Sequence, residues 1–192
     1  LRQAISYLKA PYAIISDPAE VKNASQVILP GVGAFGAASQ KLNTSGMGKV
    51  VKEFAATGKP LIGICLGMQL LADNSTEFGE QEGLGLIPGS VYEIPKGSEN
   101  HSIRIPNIGW RKLVMEKDPT LFNGLELNDP FVYFVHSYYF AVQDDADISA
   151  WIAINGYRVP AIIHRDNVVG CQFHPEKSGP QGLAILKTIL SL

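Results

Sequence analysis

The pentapeptide Gly63-Ile64-Cys65-Leu66-Gly67 has the G-x-nucleophile-x-G form of a strand-to-helix elbow, with cysteine in the nucleophile position. An apolar run at 60–64 precedes it and a segment of helical period at 68–73 follows. The flanking glycines would relieve crowding at so sharp a turn, where the nucleophile takes a strained backbone conformation. A thiol at the start of a helix is favoured as the thiolate, its reactive form. Taken alone, Cys65 reads equally well as a structural cysteine at a strand end.

A nucleophile needs a base, and His174-Pro175-Glu176 supplies one. A strand at 168–173 would deliver His174 at its C-terminal end, as 60–64 delivers Cys65. Sites in open α/β sheets gather at such ends. Pro175 fixes the chain between the two polar residues, so that Glu176 can orient the imidazole. Cys65, His174 and Glu176 then form a nucleophile, base and orienter triad. Cys171 and His174 also have C-x-x-H spacing. No metal is expected there: no second pair completes four ligands, and strand alternation sends the two residues to opposite faces. Cys171 reads as a packed strand residue.

Pro30-Gly31-Val32-Gly33-Ala34-Phe35-Gly36 contains a G-x-G-x-x-G after an apolar run at 27–29. One reading is a dinucleotide loop. That fingerprint wants an acidic residue at the end of the next strand, and the next strand ends at Cys65. The other reading is an oxyanion hole, in which a backbone N–H of Val32 or Gly33 pairs with that of Leu66 over an acyl group on Cys65.

Positioning these groups requires a frame, and the pattern supplies one. A helix at 1–9, strands at 12–15 and 27–29, helices at 35–42 and 48–56, and the strand at 60–64 alternate in the first half. That order predicts a parallel sheet covered by helices. The second half carries short strands at 90–94, 111–113, 131–134, 139–142, 149–154, 161–164 and 168–173, then a closing helix at 182–192. Asn155-Gly156 and Arg165-Asp166-Asn167 predict hairpin turns. With no linker or repeat, residues 1–192 read as one α/β domain. It is an open, mostly parallel twisted sheet with helices on both faces and an antiparallel, strand-rich extension.

Composition excludes several classes. The chain has 192 residues, 46% of them hydrophobic and 18% charged, so it can build a core and is not a disordered solvating chain. Lys plus Arg is 16 and Asp plus Glu 18, which leaves no basic surface for nucleic acid or anionic membrane. Two cysteines make no disulfide framework, which points to a reducing cytoplasm. The longest apolar stretch is too short to span a bilayer, and with no secretory signal visible in these residues none is expected.

PGVGAFG, GICLGMQLL, EGLGLIPG, PNIGW, YFVHSYY and QFHPEKSG, in that order, resemble the class I (triad) glutamine amidotransferases over essentially the whole chain. PNIGW, VHSYY and HPEKS narrow the resemblance to the glutaminase subunits of imidazole glycerol phosphate synthase, in histidine biosynthesis. The resemblance implies a flavodoxin-like fold and hydrolysis of glutamine to glutamate and ammonia. Cys65 would form a γ-glutamyl thioester, His174 would shuttle protons, and Glu176 would orient His174. Gly33, Gln69 and Glu77 match glutamine-binding positions, and His136-Ser137-Tyr138 would line the same pocket through its backbone. Trp110, Tyr133 and Lys177 match positions facing a partner synthase subunit, a (β/α)8 barrel forming a heterodimer and receiving the ammonia. No metal, nucleotide or flavin is implied.

Members of this family usually begin with a strand and a DYGxGN-type loop just before the position of Leu1-Arg2. The expectation is therefore that about a dozen residues precede this sequence, since an interior strand left out would leave backbone groups unpaired. The closest rival function is a paralogous glutaminase supplying ammonia for amino-sugar modification in surface polysaccharides. The run Asn74-Ser75-Thr76-Glu77-Phe78-Gly79-Glu80 departs from the acidic run usual in the histidine enzyme. A stand-alone cysteine hydrolase and a dinucleotide-binding module are the more distant rivals.

Overall fold

The computed structural model describes residues 1–97, 104–116, 120–122, 125 and 127–192. Its frame is a six-stranded sheet. From one edge to the other it runs through β1 (Val27–Gly31), β2 (Leu61–Cys65), β12 (Val168–Cys171), β11 (Tyr157–Arg165), β10 (Ile148–Ile154) and β7 (Val114–Met115). β1, β2 and β12 are parallel, and the remaining pairings are antiparallel. A four-stranded sheet orders β4 (Gln81–Glu82), β3 (Asn74–Ser75), β5 (Gly89–Glu93) and β9 (Tyr138–Val142). β6 (Asn107–Lys112) and β8 (Phe131–His136) form a two-stranded ribbon. The α/β class and the antiparallel extension are as the sequence predicts, and the extension is continuous with the parallel strands.

The alternation of side chains along the central strands splits the core in two. Ile62, Ile64, Ile162, Val169 and Cys171 face one cluster, closed by Ile185 and Ile189 of α5 (Gly179–Ile189) and by Val132 and Phe134 of β8. Leu61, Ile163 and Val168 face the other, closed by Phe35 of α2 (Phe35–Thr44) and by Val51 and Ala55 of α3 (Met47–Ala55). Helices thus cover both faces. A short α1 (Arg2–Tyr7) buries Ala4 and Ile5. Among the described residues no helix is long and apolar enough to cross a membrane.

Both predicted hairpins are present. Asn155 and Gly156, at φ 52° and 84°, turn β10 into β11, and Asp166, at φ 53°, helps turn β11 into β12. Residues 12–15 are a correction: they form no strand, and Ile14 is exposed. An apolar run becomes a strand only where a neighbour accepts its ladder bonds, and none of the described strands lies beside this one. PNIGW is a second correction. The strand there begins at Asn107 rather than Arg111, since Gly109 adopts φ 134° within the ladder instead of breaking it.

The helix expected at 68–73 is the third correction. α4 spans only Leu66–Gln69. The N–H groups of Leu71 and Ala72 turn to the carbonyls of Met68 and Gln69 three residues back, and that of Asp73 donates to the Gly89 carbonyl at 3.0 Å, so the α-helical ladder stops. The freed carbonyls of Leu70, Leu71 and Ala72 accept from Leu84, Leu86 and Gly85 at 2.8 to 2.9 Å.

Candidate active site

β2 is buried throughout and ends at Cys65, which has φ 56° and ψ −112°. A non-glycine residue holds that conformation only under strain fixed by its surroundings. The surroundings are visible in the flanking glycines. A β-carbon on Gly67 would lie 1.8 Å from the Leu29 carbonyl oxygen, and one on Gly63 would lie 2.6 Å from the Gly67 carbonyl oxygen. The elbow thus packs backbone against backbone on β1. With only one helical turn behind it, the dipole expected to favour the thiolate is small.

His174 follows β12, and its N–H donates to the Tyr133 carbonyl at 3.0 Å. A 3-10 turn, Pro175–Lys177, folds Glu176 back so that its Oε1 lies 3.0 Å from His174 Nδ1. His174 Nε2 and Glu176 Oε2 are buried with no hydrogen-bond partner among the described residues. The Cys65 thiol is nevertheless the largest influence on the ring, followed by the Glu176 bond, and together they raise the imidazole pKa to about 9. Burial pushes the Glu176 carboxyl up, but the His174 bond and its own backbone bring it below the usual carboxylate value. Cys65 and Glu176 thus both bear on the His174 ring. Cys171 is fully buried, and burial pushes its thiol up to about 12, leaving it inert.

Gly31 pairs with Cys65 across β1 and β2, so the glycine loop starts beside the elbow. Gly33 there has φ 102°, and Val32 is exposed. Glu77 stands where the sequence did not foresee. Its Oε2 accepts from the Phe35 N–H at 2.6 Å and caps α2, whose N-cap Ala34 has no capping side chain. A carboxylate already at the N-terminus of the helix after G-x-G-x-x-G opposes a diphosphate there. Glu77 also lines a cavity of about 630 Å³ with Ala34, Gly36, Gln40 and Phe78, a cavity to which neither Cys65 nor His174 contributes.

Gln69 is buried, and its Nε2 donates to the Tyr138 carbonyl at 2.9 Å and to Gln172 Oε1 at 3.0 Å. His136 Nδ1 lies 2.9 Å from the same carbonyl, which fixes the Nδ1–H tautomer, and Nε2 then accepts from Asn107 Nδ2 at 2.9 Å. Burial lowers the His136 pKa to about 4, so the ring is neutral. The Ser137 carbonyl is taken by the Ile94 N–H. On the β6–β8 ribbon, Trp110 is half exposed and packs edge-on against Tyr133 at 6.0 Å between ring centres. Lys177 is exposed.

Three residues that hydrogen-bond the residues named above were not singled out in the sequence: Gln172, Asn107 and Ser178. Ser178 Oγ donates to the His174 carbonyl at 2.6 Å and accepts from the Tyr133 N–H at 2.9 Å. Each lies within a quoted run, QFHPEKSG or PNIGW. Only long-range partners give these residues a role.

The family described as glutamine amidotransferase class-I matches residues 3–191. This chain belongs to the class I glutamine amidotransferases. A protein named imidazole glycerol phosphate synthase subunit HisH from Caldanaerobacter subterraneus subsp. tengcongensis is 44% identical over 187 residues, covering 97% of this chain and 89% of the relative. HisH of Geobacillus sp. (strain WCH70) is also 44% identical, over 191 residues, covering 99% and 89%. HisH 1 of Legionella pneumophila (strain Lens) is 40% identical over 196 residues, covering 99% and 92%. Among solved structures, a glutamine amidotransferase crystal structure aligns with TM-score 0.74 at 18% identity, covering 100% of this chain and 92% of that one. PurLQS from Thermotoga maritima aligns with TM-score 0.69 at 22% identity, covering 99% and 91%. These two likenesses speak to the fold.

Proposed function

We propose that this chain is the glutaminase subunit of a cytoplasmic imidazole glycerol phosphate synthase, acting in histidine biosynthesis. It would hydrolyse glutamine and deliver ammonia to a partner synthase subunit, a (β/α)8 barrel. The observation that carries the chemistry is the His174–Glu176 contact at 3.0 Å, just past the end of β12, with Cys65 at the end of the parallel neighbour β2. The relatives' names carry the pathway. They favour it over the amino-sugar paralogue, and no feature of the site recommends a dinucleotide or a free-standing hydrolase.

In this reading His174 takes the Cys65 thiol proton as Sγ attacks the side-chain carbonyl carbon of glutamine. The developing oxyanion is met by the Leu66 N–H and by an N–H of Val32 or Gly33. The imidazolium so formed, favoured by a ring pKa raised to about 9, hands its proton to the leaving ammonia. The neutral ring then takes a proton from water, which attacks the thioester and releases glutamate. Glu176 holds the ring in register throughout. Gly33, Gln69 and Glu77, with the backbone of His136, Ser137 and Tyr138, would hold the substrate.

The partner would dock on the β6–β8 ribbon, whose outward positions carry Ile108, Trp110, Tyr133 and Val135, with Lys177 close in sequence to the base. Tyr133 belongs to this face and also accepts the His174 N–H, so docking bears directly on the base. Ammonia released against a covered face escapes protonation by bulk water. The test is glutamate release by this chain alone, with the co-encoded barrel subunit, and with that subunit's ligand bound. Release that depends on the barrel and responds to a phosphoribosyl aminoimidazole ligand supports the reading. Full release without any partner, or a response only to a nucleotide-sugar-linked substrate, overturns it.

A further inference from the structure

We propose that Gln172 is a positioning residue of the glutaminase site, holding the Gln69 amide with its carbonyl oxygen turned to the substrate. The inference rests on the glutaminase reading above and adds to it a residue and a polarity.

A side-chain amide can present either end, and its neighbours decide which. Here the deciding neighbour is a group that cannot flip. The Tyr138 backbone carbonyl accepts only, and it meets both His136 Nδ1 and Gln69 Nε2 at 2.9 Å. Both of its lone pairs are engaged, so Gln69 must face it with N–H. The second N–H of Gln69 then needs an acceptor, and Gln172 Oε1 stands 3.0 Å away. With both N–H groups spent, Gln69 Oε1 takes part in none of these bonds. Nor is it among the sealed, unpartnered polar atoms, which are Gln172 Nε2, His174 Nε2 and Glu176 Oε2. It is left to accept from a donor on the amino-acid substrate.

The Gln172 end of the chain carries the argument. Gln172 is fully buried, and its Nε2 has no hydrogen-bond partner among the described residues. An unpaired buried donor opposes folding, and a Met or Leu would fill the same space without it. Turning the Gln172 amide over would not help, since its N–H groups would then confront those of Gln69. The fold thus accepts an unpaired donor in order to present an oxygen to Gln69. Gln172 also lies two residues before His174, so one strand end sets both the base and the substrate-facing amide.

The test uses the complex with the barrel subunit and reads glutamate release at varied glutamine. Gln172→Met should raise KM about tenfold while kcat changes less than about threefold, as loss of one oriented hydrogen bond to substrate requires. Gln172→Glu, which again offers an oxygen to Gln69 Nε2, should bring KM back to within about threefold of the unsubstituted complex. In a Gln69→Met background, Gln172→Met should raise KM no further, because both changes remove the same interaction. An unchanged KM in Gln172→Met, additive effects in the double variant, or a joint fall of kcat and thermal stability that Gln172→Glu does not restore would each overturn the proposal. If Gln172→Met does not fold, Gln172→Leu and its pair with Gln69→Met give the same comparison. An unsubstituted complex that releases no glutamate overturns the glutaminase reading itself, and that control separates the two failures.

Discussion

Gly67 lies so close to Leu29 that a β-carbon on the glycine would come within 1.8 Å of the Leu29 carbonyl oxygen. Both contacting groups are backbone, so nothing can rotate away. Gly67→Ala must therefore push β1 from the elbow, with an expected loss of ~3 kcal/mol or more in stability by urea denaturation. Gly33 makes the contrast. Nothing lies within 4 Å of its would-be β-carbon, yet its φ is 102°. Gly33→Ala should cost only about 1–2 kcal/mol of stability while cutting glutamate release much further, because in the proposed scheme the loop carries the oxyanion N–H. Equal losses in both variants would mean that the loop has no catalytic part.

Cys65→Ser should lower glutamate release by at least about a thousandfold while leaving the thermal transition and partner binding in place. His174→Ala should lose a similar amount. Glu176→Gln should lose less, since the ring keeps its place beside the thiol and forfeits only its anionic orienter. Persistent release in Cys65→Ser would remove the thioester from the scheme.

Much of this site was legible because its residues report locally. The glycines around Cys65 announce a turn that only glycine permits, and the Pro between His174 and Glu176 announces the fold-back that joins them. Asn155-Gly156 names its own hairpin. The rest depended on partners remote in sequence. Residues 12–15 look like a strand and have no neighbour to pair with. The segment after Gln69 looks helical, but the Asp73 N–H donates to Gly89 and residues 84–86 take the freed carbonyls. Glu77 has, besides its proposed place at the substrate, a bond to Phe35, 42 residues away, that caps α2 and that no local pattern announces.

The pH dependence has a definite sign. The His174 value lies above that of a free histidine, so its protonated ring stabilises the fold fully below about pH 6.5, and that contribution is lost as pH rises through about 9. Glu176, lowered, contributes in the opposite sense: its share is present above the ordinary carboxylate range and is lost as pH falls through its folded value. The thiol is the leading cause of the His174 shift, so Cys65→Ala should bring the imidazole well below 9 in an NMR titration of the ring. A ring that still titrates near 9 in that variant would assign the shift to Glu176 instead.

Trp110 is half exposed yet supports Tyr133 edge-on at 6.0 Å. Trp110→Ala should therefore change the isolated chain's stability by no more than about 1 kcal/mol, since little buried area is lost. If the ribbon is the docking face, the same change should weaken the complex with the barrel subunit about tenfold or more in a binding titration. Undiminished binding would move the interface elsewhere.

Ser178 ties that face to the base. It is buried, and its hydroxyl bridges the His174 carbonyl and the Tyr133 N–H. Ser178→Ala leaves the Tyr133 N–H without its acceptor and frees the backbone of the base, at an expected cost of about 1–3 kcal/mol. The decisive reading is kinetic. Glutamine does not touch Ser178 in the scheme above, so KM should hold, while kcat should fall because His174 no longer sits at a fixed distance from Cys65. The stimulation of glutamate release by the barrel subunit should shrink with it, since the hydroxyl is a second link, beside the direct Tyr133–His174 backbone bond, between the proposed docking face and the base. A variant that loses stability but keeps both kcat and stimulation would reduce Ser178 to a fold contact, and the coupling would have to pass through the direct Tyr133–His174 backbone bond alone.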